Sequence, residues 1–407
     1  MKKLFLLALP MALAAVSCSN EEVVSVNNDA NEIKFAVVSE NATRANTTET
    51  FCAYKLPDSF HVWACTNTGK SYFQQVEYTK TGDPATWTAP EGNVRFWPNK
   101  DTEKLDFYAM RNYGTVQSGY WTPAGTTVKM KTDFQVADNV GDQVDFIYAV
   151  ATGEVKPGLR DGAQNPNAGQ TTLNFRHALS QIVFTAENTN ANLAVQITKV
   201  AVINVANKGI CELPVTATTT NYKDHTGNVG NNDDNIPTPT CTWNPDNLEN
   251  PGTDYEVETK TCLMKGVTGA TDLTKSVDAD DATRNFDKSL LLIPQTTTAA
   301  TISTSNTPTT IKSATDKGSM IAVTCKIWNL NKAGELTDDD VVLYDAVAYI
   351  PFAANWKAGK KYIYNLVFGK ANGGYDDNGK DVLVPISFNI TVDDFTTVVS
   401  ENIKMEK

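Results

Sequence analysis

Apolar residues recur mainly at every second position of this chain, which is the pattern of β-strands with one buried face. Ile33, Phe35 and Val37 form the first such set, and the positions between them belong to the opposite face. Similar runs predict strands over 59–65, 71–78, 105–109, 144–150, 193–205, 289–293, 320–328, 341–352, 361–368 and 386–392. No stretch before residue 150 keeps a helical period. The predicted fold class is therefore all-β.

Turn residues separate these runs at intervals of roughly ten residues, a spacing typical of antiparallel β-sandwiches. The segment 156–170 is rich in Gly, Pro and Asn and nearly free of large apolar residues, so it predicts a domain boundary. We expect an N-terminal sandwich over 45–168 and a C-terminal sandwich over 169–407. The chain of 407 residues is long enough for two such domains in series.

Two stretches are ambiguous. In 173–186 the apolar parity changes between Phe175 and Ile182, which a β-bulge near 178–180 or a single helical turn would explain. The stretch 216–277 is dominated by Thr, Asn, Asp, Pro and Gly, which predicts a long surface segment with few strands.

The N-terminus has the pattern of an export signal over 1–17: two lysines, an apolar middle and small residues before Cys18. A small residue directly before a cysteine is typical of bacterial lipoproteins, which are cut at that point and acylated on the thiol with chains such as palmitate. An ordinary cleaved signal with a chance cysteine is the alternative. The segment 19–22 is polar and acidic, with two glutamates, which favours export to the outer face of the outer membrane. The apolar run is too short for a stable transmembrane helix.

The loop that follows the first strand carries no apolar residue larger than alanine from 40 to 48, so we expect it to be accessible. Arg44 lies in this loop, where proteases find exposed chain. A cut between Arg44 and Ala45 would detach the lipidated propeptide 18–44 together with the first strand. A sandwich that loses a strand exposes an apolar slot and unpaired backbone, which a second copy of the chain can fill.

Catalytic and metal-binding patterns are missing from the sequence. It contains three histidines and no zinc-protease, nucleophile-elbow, phosphate-loop or dinucleotide motif. We expect His177, in an apolar strand pattern, to be structural, and Asp376 to Gly379 to form a hairpin turn instead of a calcium loop. We interpret Trp97 and Trp356 as packing residues in preference to sugar-binding platforms. No catalytic residue, metal or cofactor is predicted, and a net charge of −12 excludes nucleic acid as a partner.

Seven cysteines are present, and six remain if Cys18 carries lipid. An exported protein can form disulfides, but the spacing selects no pairing. Cys325 lies in an apolar strand pattern, where a buried free thiol is expected.

Four local patterns together resemble the fimbrillins, the Mfa-like and FimA-like lipoprotein subunits of type V pili. Their order and spacing cover nearly the whole chain. They are Thr-Arg-Ala at 43–45, Phe-Trp-Pro at 96–98 before LDFYA at 105–109, FRHALS at 175–180, and Ile-Pro at 350–351 before WKAGKKYIY at 356–364.

The resemblance implies two transthyretin-like antiparallel β-sandwich domains in tandem and no enzymatic activity. It implies a lipid-anchored outer-membrane precursor that becomes part of a cell-surface fimbria after an arginine-specific protease cuts at Arg44. The displaced strand would carry Ile33, Phe35 and Val37, and a strand from the next subunit's C-terminus would replace it. The best donor pattern is the alternating set Ile386, Phe388, Ile390 and Val392.

Several alternatives stay open at this stage. The family often has Trp where this chain has Phe395, and the charged tail beyond is short, so stalk, tip and anchor positions are all compatible. A different hypothesis is a permanently anchored surface lipoprotein that binds glycans. In either case the partners would be other subunits or a host or bacterial surface ligand.

Overall fold

We describe the fold from a computed structural model. It covers residues 31–39, 57–82, 85–100, 102–124, 127–156, 170–215, 240–245, 253–257, 259, 261–274, 289–312, 317–369, 374–382, 386–394 and 397–401. These parts are almost entirely β-structure, which confirms the predicted all-β class. Their helical pieces are α1 (Pro308–Lys312) and a 3-10 turn at Val140–Asp142.

The strands of the described residues are numbered in chain order. They are β1 Phe35–Ser39, β2 Ser59–Thr66, β3 Ser71–Thr81, β4 Thr86–Thr88, β5 Leu105–Arg111, β6 Trp121–Ala124, β7 Thr127–Gln135, β8 Ile147–Glu154, β9 Thr171–His177, β10 Ser180–Asn188, β11 Leu193–Val205, β12 Lys208–Glu212, β13 Thr242–Pro245, β14 Thr253–Val257, β15 Cys262–Lys265, β16 Thr268–Asp272, β17 Leu290–Leu292, β18 Ser319–Asn329, β19 Val341–Phe352, β20 Lys360–Phe368, β21 Ile386–Asp394 and β22 Thr397–Glu401.

Seven strands form a closed barrel in the order β1-β4-β3-β2-β5-β8-β9, and β9 closes the ring by pairing with β1. The β1–β9 pair is parallel, whereas every other neighbouring pair in the ring is antiparallel. The barrel interior holds its own aromatic core, which includes Phe60, Tyr78, Trp87 and Phe107.

Three further sheets complete the described fold. One has the order β16-β10-β20-β21-β22 with β17 on β10, a second has β14-β11-β18-β19 with β15 on β11, and a third has β13-β12-β7-β6. A second, larger core lies between these sheets and the outer face of the barrel, to which Trp63, Tyr108 and Tyr148 contribute. Strands β2, β5 and β8 are thus buried on both faces, which explains the continuous apolar run from Val62 to Cys65.

The predicted boundary between 168 and 169 falls in a segment outside the described residues, and it stays a prediction. Two strand pairings cross it. β9, which follows the boundary, completes the barrel, and β7, which precedes it, pairs with β12.

The ambiguous stretch 173–186 is neither one bulged strand nor a helical turn. It contains the end of β9 and most of β10, which belong to two different sheets. The chain passes from one sheet to the other at Ala178 and Leu179, both fully buried. Because each strand has its own buried face, the parity of the apolar residues changes at this point. The stretch 216–277 holds four short strands, β13 to β16, among its described residues.

The five cysteines in the described residues are free thiols: Cys65, Cys211, Cys241, Cys262 and Cys325. Cys325 is 2% exposed, as expected for a buried thiol. Burial, and to a lesser degree the nearby carboxylate of Asp345, raises the pKa of the Cys325 thiol to about 12. Burial and Asp106 raise the pKa of the Cys65 thiol to about 12 as well.

We predict that native Cys65 and Cys325 resist alkylation by iodoacetamide at about pH 8, because the reactive species is the thiolate and both thiols stay protonated and inaccessible. Unfolding in guanidinium should expose them to full labelling. Peptide mass spectrometry with and without denaturant measures both states. Half-exposed Cys262 is the internal control and should label faster in the native protein. Peptides cross-linked by a disulfide, or rapid native labelling of Cys325, would contradict the prediction.

Candidate functional site at the first strand

Strand β1 lies in the wall of the barrel with a partner on each side. Its backbone follows β9 in parallel from the pair Phe35 and Thr171 to the pair Ser39 and Phe175. On the other side, only the pair Phe35 and Trp87 links it to the three-residue strand β4. The strand predicted around residues 33–38 is therefore confirmed, and it belongs to the hydrogen-bonded ladder.

The side chains predicted to face the core do so. Ile33 and Phe35 are fully buried, and Val37 is 8% exposed. The ring of Phe35 lies in the barrel interior, with its centroid 4.7 Å from that of Tyr78 and 5.1 Å from that of Phe107. Burial of such a side chain stabilises a fold by about 1.5–3 kcal/mol. Side-chain burial therefore contributes more to holding β1 in place than the backbone pairing along its two edges, which differ in length.

Removal of β1 would open a defined slot. Strands β4 and β9 would lose their partner, and the rings of Tyr78, Phe107 and Phe60 would lose the aromatic side chain that covers them. Exposed backbone edges of this kind pair readily with another extended chain. An incoming strand would need apolar side chains at alternate positions and could pair with β9 along the edge that β1 occupies.

Of the three resemblance patterns that lie in the described residues, one, Phe-Trp-Pro before LDFYA, lies at this strand. The segment before β1 pairs with the Phe-Trp-Pro segment: the Ile33 amide donates to the Arg95 carbonyl at 2.8 Å, and the Trp97 amide donates to the Asn31 carbonyl at 2.8 Å. Trp97 is buried and lies edge-on to Phe107 of β5, at 5.7 Å between ring centroids. This pattern therefore forms part of the wall on which β1 lies.

The other two patterns meet at the start of β10. The Ser180 hydroxyl donates to the Lys357 carbonyl at 2.8 Å, and the Gly359 amide donates to the Leu179 carbonyl at 2.9 Å. Trp356 is 2% exposed and donates its indole N–H to the Tyr364 hydroxyl at 3.0 Å. Trp97 and Trp356 are thus core residues, as the sequence favoured, and neither offers a sugar platform.

His177 ends β9 beside this junction and is 6% exposed. Its Nδ1 lies 2.7 Å from the Asp145 carboxylate. This pair ties β9 to the segment before β8, which fits the expected structural role. In the described part of the chain, no group of three or more His, Cys, Asp or Glu side chains is placed to hold a metal ion.

The predicted donor set lies in β21, an inner strand of its sheet. All nine residues of β21 pair with β20, from Ile386 opposite Phe368 to Asp394 opposite Lys360. Ile386 is fully buried, and Phe388, Ile390 and Val392 are half-buried against the larger core. On its other side, β21 pairs with β22 at only two positions of the register.

Cys18, Arg44 and Ala45 lie outside the described residues, so their lipidation and cleavage roles stay predictions. Within the described ranges, no helix is long and apolar enough to cross a bilayer. What sequence reasoning missed is the parallel partner of β1: residues 171–175 follow the predicted domain boundary and were assigned to the second domain.

A closed β-barrel that is completed by its first described strand and joined to three further sheets defines an all-β class of protein. A fimbrillin-like family model matches residues 43–394 of the chain. The chain belongs to the fimbrillin-like family, which confirms the resemblance and makes it a fimbrial or adhesion-type subunit of the cell surface. The match begins beyond β1 and ends with the last residue of β21.

Two solved structures resemble this chain at low sequence identity. A fimbrial protein from Bacteroides vulgatus is 14% identical, with 90% of this chain and 100% of that chain covered and a TM-score of 0.53. A candidate cell adhesion protein from Bacteroides uniformis is also 14% identical, with 90% and 98% covered and a TM-score of 0.42. A search among curated proteins returned no match. At this identity the first likeness supports the fold alone.

We predict that Phe35→Ala in the uncut chain lowers the free energy of unfolding by about 3–5 kcal/mol, because it leaves a cavity among Tyr78, Phe107 and Phe60. Lys34→Ala, at the residue directly before β1, is the control. Lys34 is half-exposed, and its ion pair with Glu32 at 3.1 Å is of the surface type, so we expect a change within about 1 kcal/mol. Guanidinium unfolding followed by tryptophan fluorescence measures both. Equal effects of the two substitutions would show that β1 is not part of the core.

Proposed function

We propose that the chain is a pilus subunit that assembles by strand exchange. It would be exported as a lipoprotein anchored through Cys18 in the outer membrane and cut after Arg44. Loss of β1 would then open the slot for a strand of the next subunit. The observation that carries the proposal is the position of β1: it fills the barrel core, yet it precedes all the other described strands of the fold.

The free energy of the buried contacts favours replacement of β1 by another strand over loss of β1 without replacement. Three buried side chains, Ile33, Phe35 and Val37, stabilise the β1 contact by about 5–9 kcal/mol as an upper estimate. An incoming strand with the same alternation recovers most of this free energy. After cleavage β1 is held by noncovalent contacts only, whereas an incoming strand stays attached to its own folded subunit.

The donor would come from the C-terminal hairpin of β21 and β22. β21 has the required alternation at Ile386, Phe388, Ile390 and Val392, but its release breaks a nine-residue ladder with β20. β22 is held at two register positions and can leave first. The family match supports a division at this point, because it ends at Asp394, before β22.

The remaining parts of the proposal follow the same family. We infer two transthyretin-like sandwich domains in tandem, a role in structure and adhesion without enzymatic activity, and a final location in the fimbria on the cell surface. Other copies of the chain or other pilus subunits would be its partners, and an arginine-specific protease would process it.

We predict that the mature protein begins at Ala45 and polymerises, whereas Arg44→Ala and Arg44→Lys stay lipidated monomers because an arginine-specific protease accepts neither. N-terminal sequencing and size-exclusion chromatography of surface extracts measure both properties. Thr43→Ala is the matched control in the same loop and should be processed normally.

Fibres formed by an uncut chain would contradict strand exchange. A mature protein that begins at Cys18 would support the alternative of a permanently anchored surface lipoprotein. Processing of Arg44→Lys at the normal rate would contradict the arginine specificity alone.

We predict that a chain ending at Asp394, which lacks β22, is cut after Arg44 but stays monomeric, because it retains the slot and loses the segment that detaches first. A chain ending at Glu401 is the control and should polymerise. Electron microscopy of the cleaved proteins distinguishes the two results. Fibres from the shorter chain would assign donation to β21 alone.

A further inference from the structure

A second feature lies on the outer surface of the barrel, away from β1. Residues at the start of β2, at the bulge of β3 and in the segment 111–116 after β5 line an open cleft of about 550 Å³. The lining side chains with which the cleft could contact a ligand are His61, Gln75, Arg111 and Tyr113. In the ring order, β2 and β5 are each three strands away from β1, which is the greatest separation a seven-stranded ring allows.

The segment 111–116 is held rigidly in place. Asn112 adopts a left-handed backbone conformation with φ of 53°, and its side-chain amide donates to the Asp145 carbonyl at 2.9 Å. Thr115 exchanges two backbone hydrogen bonds with Asp133, at 2.7 and 2.9 Å. Gly114 is required for this approach, since a Cβ there would lie 1.7 Å from the Asp133 carbonyl oxygen. The segment is therefore a fixed wall of the cleft.

The facing wall is also shaped by an unusual backbone. Gln75 has a φ of 50° and occupies a bulge in β3, where the register with β2 shifts between Val62 and Ala64. Bulges of this kind turn a side chain towards a new direction and are frequent beside functional sites. Here the Gln75 amide donates to the Tyr113 hydroxyl at 3.1 Å. Two of the three non-glycine residues with positive φ in the described chain thus lie at this cleft.

The chemistry of the cleft fits a sugar. Tyr113 lies edge-on to His61 and Trp63, at 5.5 and 5.3 Å between ring centroids, and it stays half-exposed. Aromatic rings give sugar rings an apolar platform, while amide and guanidinium groups donate planar pairs of hydrogen bonds to adjacent oxygens. An open cleft with mostly polar walls suits a hydrated, polar ligand better than an apolar one.

The charge of the cleft narrows the class of sugar. Among the lining residues, Arg111 is the one that carries a full charge at neutral pH, and it forms no ion pair within the described part of the chain. A guanidinium without a counter-ion binds a carboxylate in bidentate fashion. Glu77, the cross-strand neighbour of His61, lies outside the lining, although its charge reaches Tyr113: burial and, to a lesser degree, Glu77 raise the pKa of that tyrosine. With a net charge of −12, the chain repels polyanions, which favours a single carboxylate.

We propose that this cleft binds the terminal residue of a glycan that carries one carboxylate, such as a uronic or sialic acid. The carboxylate would bind Arg111 and the ring would lie against Tyr113. The site deepens the adhesive part of the proposed function but does not rest on strand exchange. Because it lies opposite β1 in the ring, it would stay accessible whether the slot holds β1 or a donor strand.

The test uses the uncut full chain with Arg44→Ala, so that assembly plays no part in the result. Saturation-transfer NMR and titration would use methyl glucuronide, methyl galacturonide and a methyl sialoside, with the uncharged methyl glucoside and galactoside as matched probes. We expect saturable binding of at least one acidic sugar and weaker binding of its neutral counterpart. Arg111→Gln should weaken acidic-sugar binding by about tenfold or more and leave weak neutral-sugar binding unchanged.

Arg95→Gln is the matched control, since Arg95 is also half-buried and lies outside the cleft; its affinities should equal those of the parent chain. Arg111→Lys, which keeps the charge but loses the planar fork, should fall between the parent and Arg111→Gln. Unchanged melting temperatures would show that the variants fold. No binding of any acidic sugar, equal affinity for acidic and neutral sugars, or acidic-sugar binding unaffected by Arg111→Gln would each overturn the proposal.

Discussion

Seven strands cannot alternate in direction all the way around a closed ring, because an odd number leaves one neighbouring pair pointing the same way. In this barrel that pair is β1 and β9. Parallel strands cannot be joined by a tight hairpin, and their pairing is slightly weaker per residue than antiparallel pairing. The ring therefore closes at a seam formed by the first described strand and a strand that follows the rest of the barrel in sequence. A single cut after β1 would leave it held by noncovalent contacts alone and would leave every other described strand attached to the rest of the chain.

The wall of the barrel formed by β2, β5 and β8 is packed on both of its faces, which the seam is not. Strands β2, β5 and β8 contribute side chains to the barrel interior and also to the larger core outside it. Trp63, Tyr108 and Tyr148 anchor this wall to the other sheets. The barrel is thus supported where it meets the rest of the molecule and least supported at β1 and the short strand β4. This asymmetry is what the proposed strand exchange would require, since the sheet around β1 would have to persist while β1 is replaced.

Much of this fold was predictable, because period-two alternation reports directly on which side chains face a core. Ile33, Phe35 and Val37 are the clearest case. The same rule was incomplete for β5, where alternation suggests one buried face but Tyr108 and Met110 are buried on the other. The parallel partner of β1 was not predictable, since residues 171–175 are distant in sequence and nothing local encodes their pairing. The cleft was missed for a similar reason: its geometry depends on a bulge at Gln75 and on the contact of Gly114 with β7.

The parallel seam has a consequence for any polymer built through it. The slot is formed by the barrel, whereas the segment suited to fill it lies at the other end of the chain, so the two halves of each junction are different surfaces. A junction of this type is heterologous, so a linear oligomer keeps one vacant acceptor and one unused donor at its opposite ends, unless the chains close into a ring or exchange strands reciprocally. Since every junction would join the same donor segment to the same barrel slot, each added molecule would keep the orientation of the one before it. The filament would be polar, and growth at its two ends would be chemically distinct.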